Sequence, residues 1–353
     1  MNKINLTLFA NLNGLTGFNK HARELSIGLN KVCNLKIIGE YNSSLPRELK
    51  DCFDRKDSYD NLLTLAPPYY WTQEHHNYKR VIGYGIFEGS KIPIGWSIHA
   101  KEISKIIVPS THTKNSFINA GVKESKVSVV PHGVRTDIYK KKGGKSKNIE
   151  ADFKGYYKYL FVGGWSQGIN DRKGAQFLIK AFSEEFKKDE KVILIMKYNS
   201  AYSSPEQIKD FVKSLKLPES HAQIIQIFDN LSEEELANLY RSCDTLVSPH
   251  MSEAWGMNIS ESIACGTPVI ATNYGGNTDY MKPLLSGKLV PSKSTPVHYY
   301  NETLWMEPNV KQLKDVMRRT FNGNLVLECD SSTLTSWDET AKKIIEVIKK
   351  NDK

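Results

Sequence analysis

The sequence repeats one grammar twice. Short apolar runs alternate with stretches whose apolar positions recur at helical spacing. In the first half the apolar runs fall at 4–9, 35–38, 62–65, 81–84, 106–109 and 127–130, each bounded by polar residues, Gly or Pro. Phe18, Ala22, Leu25 and Leu29 follow the loop Gly14-Leu15-Thr16-Gly17 at helical spacing, and 111–120 reads as a helix stopped by Gly121. The run YKKKGGKSK at 139–147 has no apolar period, so it reads as a linker. The alternation then restarts. Strands are expected at 159–162, 192–196, 224–228, 245–247 and 269–271, with helices at 173–187, 205–215, 232–241 and 310–321. Ser232 and Glu235 form a capping-box pattern, and Ala341, Ile344, Ile345 and Ile348 mark a last helix. Strand–helix alternation predicts parallel sheets covered on both faces. The fold class is therefore α/β, with two doubly wound domains in tandem, 1–147 and 148–334. Ligands of such sheets bind at the carboxyl ends of the strands, so the functional cleft is expected between the domains.

Composition narrows the class. At 353 residues, 40% hydrophobic and 25% charged, the chain has room for two domains of ordinary size. No run of 18 apolar residues occurs, so no membrane-spanning helix is expected. Cys33, Cys52, Cys243, Cys265 and Cys329 are scattered and show no Cys-x-x-Cys pair, which points to a reducing, cytoplasmic setting without structural zinc. The formal net charge is +9, and it is lopsided. Residues 1–150 carry 23 Lys and Arg against 13 Asp and Glu, whereas the remainder carries 25 against 26. Solubility and the basic linker account for part of this excess. The alternative is an anionic partner for the first half: a lipid phosphate, an acidic glycan or a membrane surface contacted peripherally. Nucleic acid is not expected, because no recognition-helix or aromatic–basic strand pattern is present.

The densest chemistry lies in 250–280, HMSEAWGMNISESIACGTPVIATNYGGNTDY. Ala254-Trp255-Gly256-Met257-Asn258 leads into a short helix expected over 259–265. The unpaired N–H groups at a helix start favour an anion, and a preceding glycine lets the backbone approach it. A diphosphate fits that description. Asn258 with Glu261 three residues later equally fits a helix cap. Glu253, in the turn before, is either a solvated loop carboxylate or an acceptor for adjacent sugar hydroxyls, as is Glu261. Two carboxylates also fit a glycosidase, but one of them lies in a helix start arranged for phosphate. Upstream, Val162-Gly163-Gly164-Trp165 ends a strand and Asp171-Arg172-Lys173-Gly174 opens a helix. Arg172 and Lys173 there oppose the helix dipole unless an anion offsets them. The Gly14–Gly17 loop resembles a phosphate-binding turn but lacks Gly-x-Gly-x-x-Gly spacing. There is no Asp-x-Asp and no His-rich spacing, so no metal is expected.

Taken together, these segments resemble retaining, nucleotide-sugar-dependent glycosyltransferases of the GT-B fold (group 1, family 4-like). The resemblance rests on the Gly14–Gly17 loop, Val108-Pro109-Ser110 with Ala120-Gly121-Val122, Val130-Pro131-His132-Gly133-Val134, Val162-Gly163 with Arg172-Lys173-Gly174, and the segment from Glu253 to Glu261 running into Ala264-Cys265-Gly266-Thr267-Pro268. It spans nearly the whole chain, and the last segment is the most specific.

The resemblance implies two Rossmann-like domains: an acceptor-binding domain over 1–147, to which a returning helix at 335–353 belongs, and a donor-binding domain over 148–334. It implies that Glu253 contacts the transferred sugar and Glu261 the ribose hydroxyls. Backbone at Gly256, Met257 and Asn258 meets the diphosphate or sugar, and Lys173 with Arg172 neutralises the leaving diphosphate. Gly17 approaches the donor phosphate from the other domain. The chain departs from the family pattern at Gly164, where an arginine is usual, and at Ala254, where glycine is usual. Arg172 is the candidate substitute for the absent arginine. On the acceptor side the family's histidine has no counterpart in Gly85-Ile86-Phe87-Glu88-Gly89, where Glu88 is the candidate. The implied reaction moves a sugar from a nucleotide diphosphate-sugar to a hydroxyl of a glycan, lipid-linked or small-molecule acceptor, with no cofactor. A sugar-nucleotide epimerase on the same fold, a phosphorylase, and a catalytically silent glycan-binding protein are the alternatives.

Overall fold

The structure is a computed structural model that describes residues 3–56, 59–73, 77–166, 168–292 and 303–350. Its first unit opens with β1 (Asn5–Ala10), α1 (Gly17–Val32), β2 (Asn34–Ile38), α2 (Lys50–Phe53), β3 (Asn61–Leu65) and β4 (Arg80–Tyr84). It continues through α3 (Ile94–Glu102), β5 (Lys105–Val108), α4 (Thr111–Asn119), β6 (Val127–Val129) and the short β7 (Gly133–Val134). The first six strands pair in parallel in the order β2-β1-β3-β4-β5-β6. Leu6, Leu8, Leu62, Leu63, Ile82, Ile106 and Ile107 are buried, as a sheet covered on both faces requires. Thr16 and Asn19 cap α1 reciprocally, and Ser110 caps α4, so each helix starts where the sequence supplies an oxygen for its free N–H groups.

The second unit contains α5 (Lys147–Asp152), β8 (Tyr157–Gly163), α6 (Ala175–Glu185), β9 (Val192–Tyr198), α7 (Pro205–Ser214), β10 (Gln223–Ile227), α8 (Glu233–Ser242) and β11 (Thr245–Ser248). α9 (Met257–Ala264), β12 (Val269–Ala271), β13 (Gly287–Pro291), β14 (Leu304–Pro308) and α10 (Val310–Phe321) complete it. Its five-stranded parallel sheet runs β10-β9-β8-β11-β12. Leu178, Phe182, Leu194, Met196, Val247 and Ile270 form part of its core. β13 and β14 make an antiparallel hairpin that the periodicity does not suggest. β13 is largely exposed and β14 buries only Trp305 and Pro308, so neither carries a continuous buried apolar run.

The chain then returns to the first unit through β15 (Thr335–Ser336), paired with β7, and α11 (Trp337–Lys349), packed on α1. A Cβ on Gly28 of α1 would lie 2.7 Å from the Trp337 carbonyl oxygen, which shows how closely the two helices approach. Inside this unit the rings of His21 and His132 stack at 4.0 Å, with Tyr84 4.9 Å and Trp337 5.3 Å from His21. All four side chains are buried.

Compact units divide the chain at 135/136 rather than at the 147/148 boundary read from composition. The basic run explains the difference. Tyr139 is buried and its hydroxyl donates to Glu233 Oε2 at 2.6 Å. Arg241 donates to the carbonyls of Ile138, Lys140 and Gly144, and Ser146 N donates to Ser242 Oγ at 2.7 Å. A segment with no apolar period is thus fastened to α8 by its backbone carbonyls, which composition does not reveal. The strand orders fix where each sheet opens toward a ligand. In the second unit the first strand, β8, has β9 on one side and β11 on the other, so the winding reverses between β8 and β11. In the first unit it reverses between β1 and β3.

Candidate functional site

The segments after β8 and β11 meet at the second unit's reversal point. α9 begins there without a side-chain cap. Its N-cap is Gly256, held at φ +86°, a conformation that disfavours any side chain. The expected Asn258–Glu261 cap is therefore not formed. Asn258 lies inside the helix and spends its amide on β8, donating from Nδ2 to the Val162 carbonyl at 2.8 Å. No side chain caps the first N–H groups of α9, the end of the helix that carries a partial positive charge. The Tyr280 hydroxyl lies 2.9 and 3.0 Å from the carbonyl oxygens of Trp255 and Gly256, and the Trp255 and Tyr280 rings pack at 4.5 Å. These contacts fix the loop that precedes the helix.

Glu253 is buried beside this helix start. Lys173 Nζ pairs with its Oε1, and Arg172 Nη1 lies 3.5 Å from its Oε2. Arg172 also donates to the Ser252 carbonyl at 2.5 Å. Burial pushes the Glu253 carboxyl up, but the nearby Lys173, Arg172 and His250 together outweigh it and hold it down at about 2. The anion that the Arg172–Lys173 pair calls for is thus supplied within the unit. Gly275 makes this possible on the other side: a Cβ there would lie 2.6 Å from the Glu253 carbonyl oxygen, and Gly276 N donates to that same oxygen at 2.8 Å.

Helix α6 starts at Ala175, two residues later than expected, because Gly174 at φ +80° is its N-cap. Asp171, buried, organises the turn before it. Its Oδ1 accepts from Lys173 N at 2.8 Å and its Oδ2 from Ser166 N at 2.7 Å. Lys173 is thereby aimed by a residue the sequence offers only as part of a loop, although an Asp two positions before is an Asx-turn signal. His250 is a further residue that sequence reasoning misses. Its Nδ1 lies 3.1 Å from Ser248 Oγ, its Nε2 2.9 Å from the Tyr274 carbonyl and 3.2 Å from Asn277 Oδ1, and burial lowers its pKa. Nothing in the local pattern marks such a histidine.

Glu261 sits one turn further along α9, buried, with the Tyr240 hydroxyl 3.3 Å from its Oε2. Glu253, Lys173, Arg172, Gly256, Met257, Asn258 and Glu261 therefore belong to one unit, and all lie on the segments entering or forming α6 and α9. Gly17 and Glu88 belong to the first unit. Gly17 is the first residue of α1, immediately after the Thr16 cap, and the Glu88 carbonyl lies 3.1 Å from His112 Nε2. Both follow carboxyl ends of that unit's strands, β1 and β4.

A sucrose-phosphate synthase structure from Thermosynechococcus elongatus aligns over 98% of each chain with a TM-score of 0.69 at 16% identity. The HepE protein of Anabaena, solved with UDP and glucose, aligns over 98% of this chain and 99% of its own with a TM-score of 0.66 at 14% identity. The chain has the α/β fold of these GT-B glycosyltransferases. Residues 145–302 match the family of glycosyl transferases group 1. A D-inositol 3-phosphate glycosyltransferase of Paenarthrobacter aurescens is 27% identical over 232 residues, 64% of this chain and 52% of the relative. A probable sucrose-phosphate synthase of Thermosipho melanesiensis is 24% identical over 272 residues, 72% of this chain and 56% of the relative. The chain spans about half the length of the curated relatives it matches.

Proposed function

We propose that the chain transfers a sugar from a nucleoside diphosphate-sugar to an acceptor hydroxyl, with retention of anomeric configuration. One observation carries the reading: a buried glutamate, held ionised by a lysine and an arginine, beside a helix start that no side chain caps. The uncapped N–H groups at Met257 and Asn258 suit a phosphate oxygen. Lys173 and Arg172 suit the charge that grows on the leaving diphosphate as the sugar takes on oxocarbenium character. Fixed cations aimed at such a charge in a site of low dielectric are worth orders of magnitude in rate. Glu253, an acceptor-only carboxylate at neutral pH, suits two adjacent sugar hydroxyls, and Glu261 those of the ribose. The proton of the acceptor hydroxyl passes to the leaving phosphate oxygen, so no separate base and no metal are required. Excess chelator should leave turnover unchanged.

UDP bound to HepE supports a nucleotide donor, and the inositol phosphate and sucrose-phosphate relatives support a sugar-phosphate or polyol-phosphate acceptor. The excess of basic residues in 1–150 fits such an anionic acceptor and equally fits peripheral contact with an anionic membrane from the cytoplasmic side. Salt dependence of acceptor KM separates the two from an uncharged acceptor. The test of the whole reading is donor consumption across a panel of nucleotide sugars, with Lys173→Ala as control. We expect turnover to fall about a hundredfold or more, as for loss of a charge-stabilising donor. Unchanged turnover in that variant would remove Lys173 from the site.

A further inference from the structure

Tyr202 lies in the loop after β9, and its surroundings give it a place in the same site. Gly164 follows the last residue of β8. A Cβ at Gly164 would lie 2.5 Å from Tyr202 Cδ2 and 2.6 Å from Cγ, so the root of the ring fills the space that any side chain there would need. Tyr202 nevertheless remains 43% exposed. The adjoining residue, Gly163, is within van der Waals reach of Lys173: a Cβ on it would be 3.8 Å from Lys173 Cγ. Gly163 O also accepts from Asn199 N at 3.0 Å, and Asn199 O accepts from Tyr202 N at 3.1 Å, which fastens the loop to the strand end. Ser200 Oγ lies 2.8 Å from Asn230 Oδ1, tying the same loop to the segment after β10. Asn258, from the α9 start, reaches the neighbouring Val162 carbonyl. The end of β8 therefore gathers Lys173, the uncapped helix and one exposed aromatic ring.

We propose that Tyr202 is a donor-binding residue that stacks on the nucleobase, and that Gly164 is small in order to seat its ring. The inference rests on the sugar-transfer function proposed for this chain and extends it to the nucleoside part of the donor. An anion at the α9 start and Lys173 leaves the nucleoside to occupy the neighbouring strand ends, and an exposed ring there offers what a planar base needs. Stacking of a base on an aromatic side chain is tolerant of base identity.

The test measures binding of UDP, GDP, ADP and inorganic pyrophosphate to the full chain by calorimetry. Tyr202→Ala is expected to weaken the nucleotide that binds best by about ten- to a hundredfold, on the scale of one stacked base, and to leave pyrophosphate unchanged. Tyr202→Phe should bind within about twofold of the native chain. Gly164→Ala, which displaces the ring without removing it, should weaken the nucleotide in the same direction. Equal losses for nucleotide and pyrophosphate, or no loss for either, would overturn the assignment while leaving the transfer function intact. A native chain that bound pyrophosphate and none of the nucleotides would overturn both.

Discussion

Two buried clusters of titratable side chains occupy the two units, and they are built on opposite principles. Around Glu253 the charges are kept: a carboxylate held down at about 2 faces Lys173, Arg172 and His250. Around His21 the charges are removed. Burial first, and His132 second, lower the His21 pKa well below its ordinary value, burial alone lowers His132 to about 3, and Tyr84 is held neutral by burial as well. Burial of ionisable groups is therefore not a mark of a site by itself. A site holds its charge at the cost of pairing it, because an ion left unpaired in low dielectric is costly. A packing cluster gives up its charge and keeps its rings in contact.

The contrast is broken first at Glu253. Glu253→Ala should lower donor turnover by about 10²–10³-fold, since it removes the proposed sugar contact and leaves two cations without their carboxylate. Steady-state rates on the native donor check this, and a turnover within a factor of about three would return Glu253 to the ranks of structural carboxylates. Next comes the histidine cluster. Its histidines have folded pKa values below the ordinary unfolded value near 6.5. Between pH 6.5 and about 3 the unfolded chain binds protons that the folded chain does not, so stability falls as pH falls. His132→Phe should flatten that slope, retaining a few kcal/mol at pH 4 relative to the native chain. Urea midpoints at pH 7 and pH 4 measure it. Glu253 has the same sign in a lower window, from its ordinary range down to about 2, so it does not mimic the effect near pH 6.

A smaller effect is expected at the loop before α9. Tyr280→Phe removes the hydroxyl that reaches the Trp255 and Gly256 carbonyls and should cost about 1 kcal/mol, seen as a fall of a few degrees in Tm. Smallest is Lys31→Ala, which breaks an exposed pair with Asp338 at 2.8 Å between α1 and α11. We expect a loss of less than about 1 kcal/mol, and a larger one would mean that the helix pair depends on surface charge rather than on Gly28 and Trp337.

The sheets are largely legible in the sequence because their strands are short apolar runs with turn residues at both ends. β12 occupies 269–271 as expected, and β9 extends only two residues past the expected 196. The site is legible in its residue types and not in its pairings. Glu253 and Lys173 stand 80 positions apart, and only the β8–β11 reversal joins their segments. The Asn258 cap fails because two local patterns compete at a helix start, and the positive φ of Gly256 moves the boundary. The fastening of 138–144 by Arg241 is illegible, since the acceptors are main-chain carbonyls whatever the residue types. The hairpin β13–β14 lacks the alternation by which a strand is recognised.

The seating of α11 on α1 has a consequence for synthesis. Trp337 stacks on His21, and β15 pairs with β7, so the first unit contains an element made after the second unit. During elongation the segment from Thr136 to Leu334 can leave the ribosome and assemble its own sheet while the earlier unit still waits for its final helix. The nascent amino-terminal sheet spends that interval with the face that receives Trp337 uncovered. Apolar surface left uncovered in this way is what makes a partly folded chain prone to aggregate.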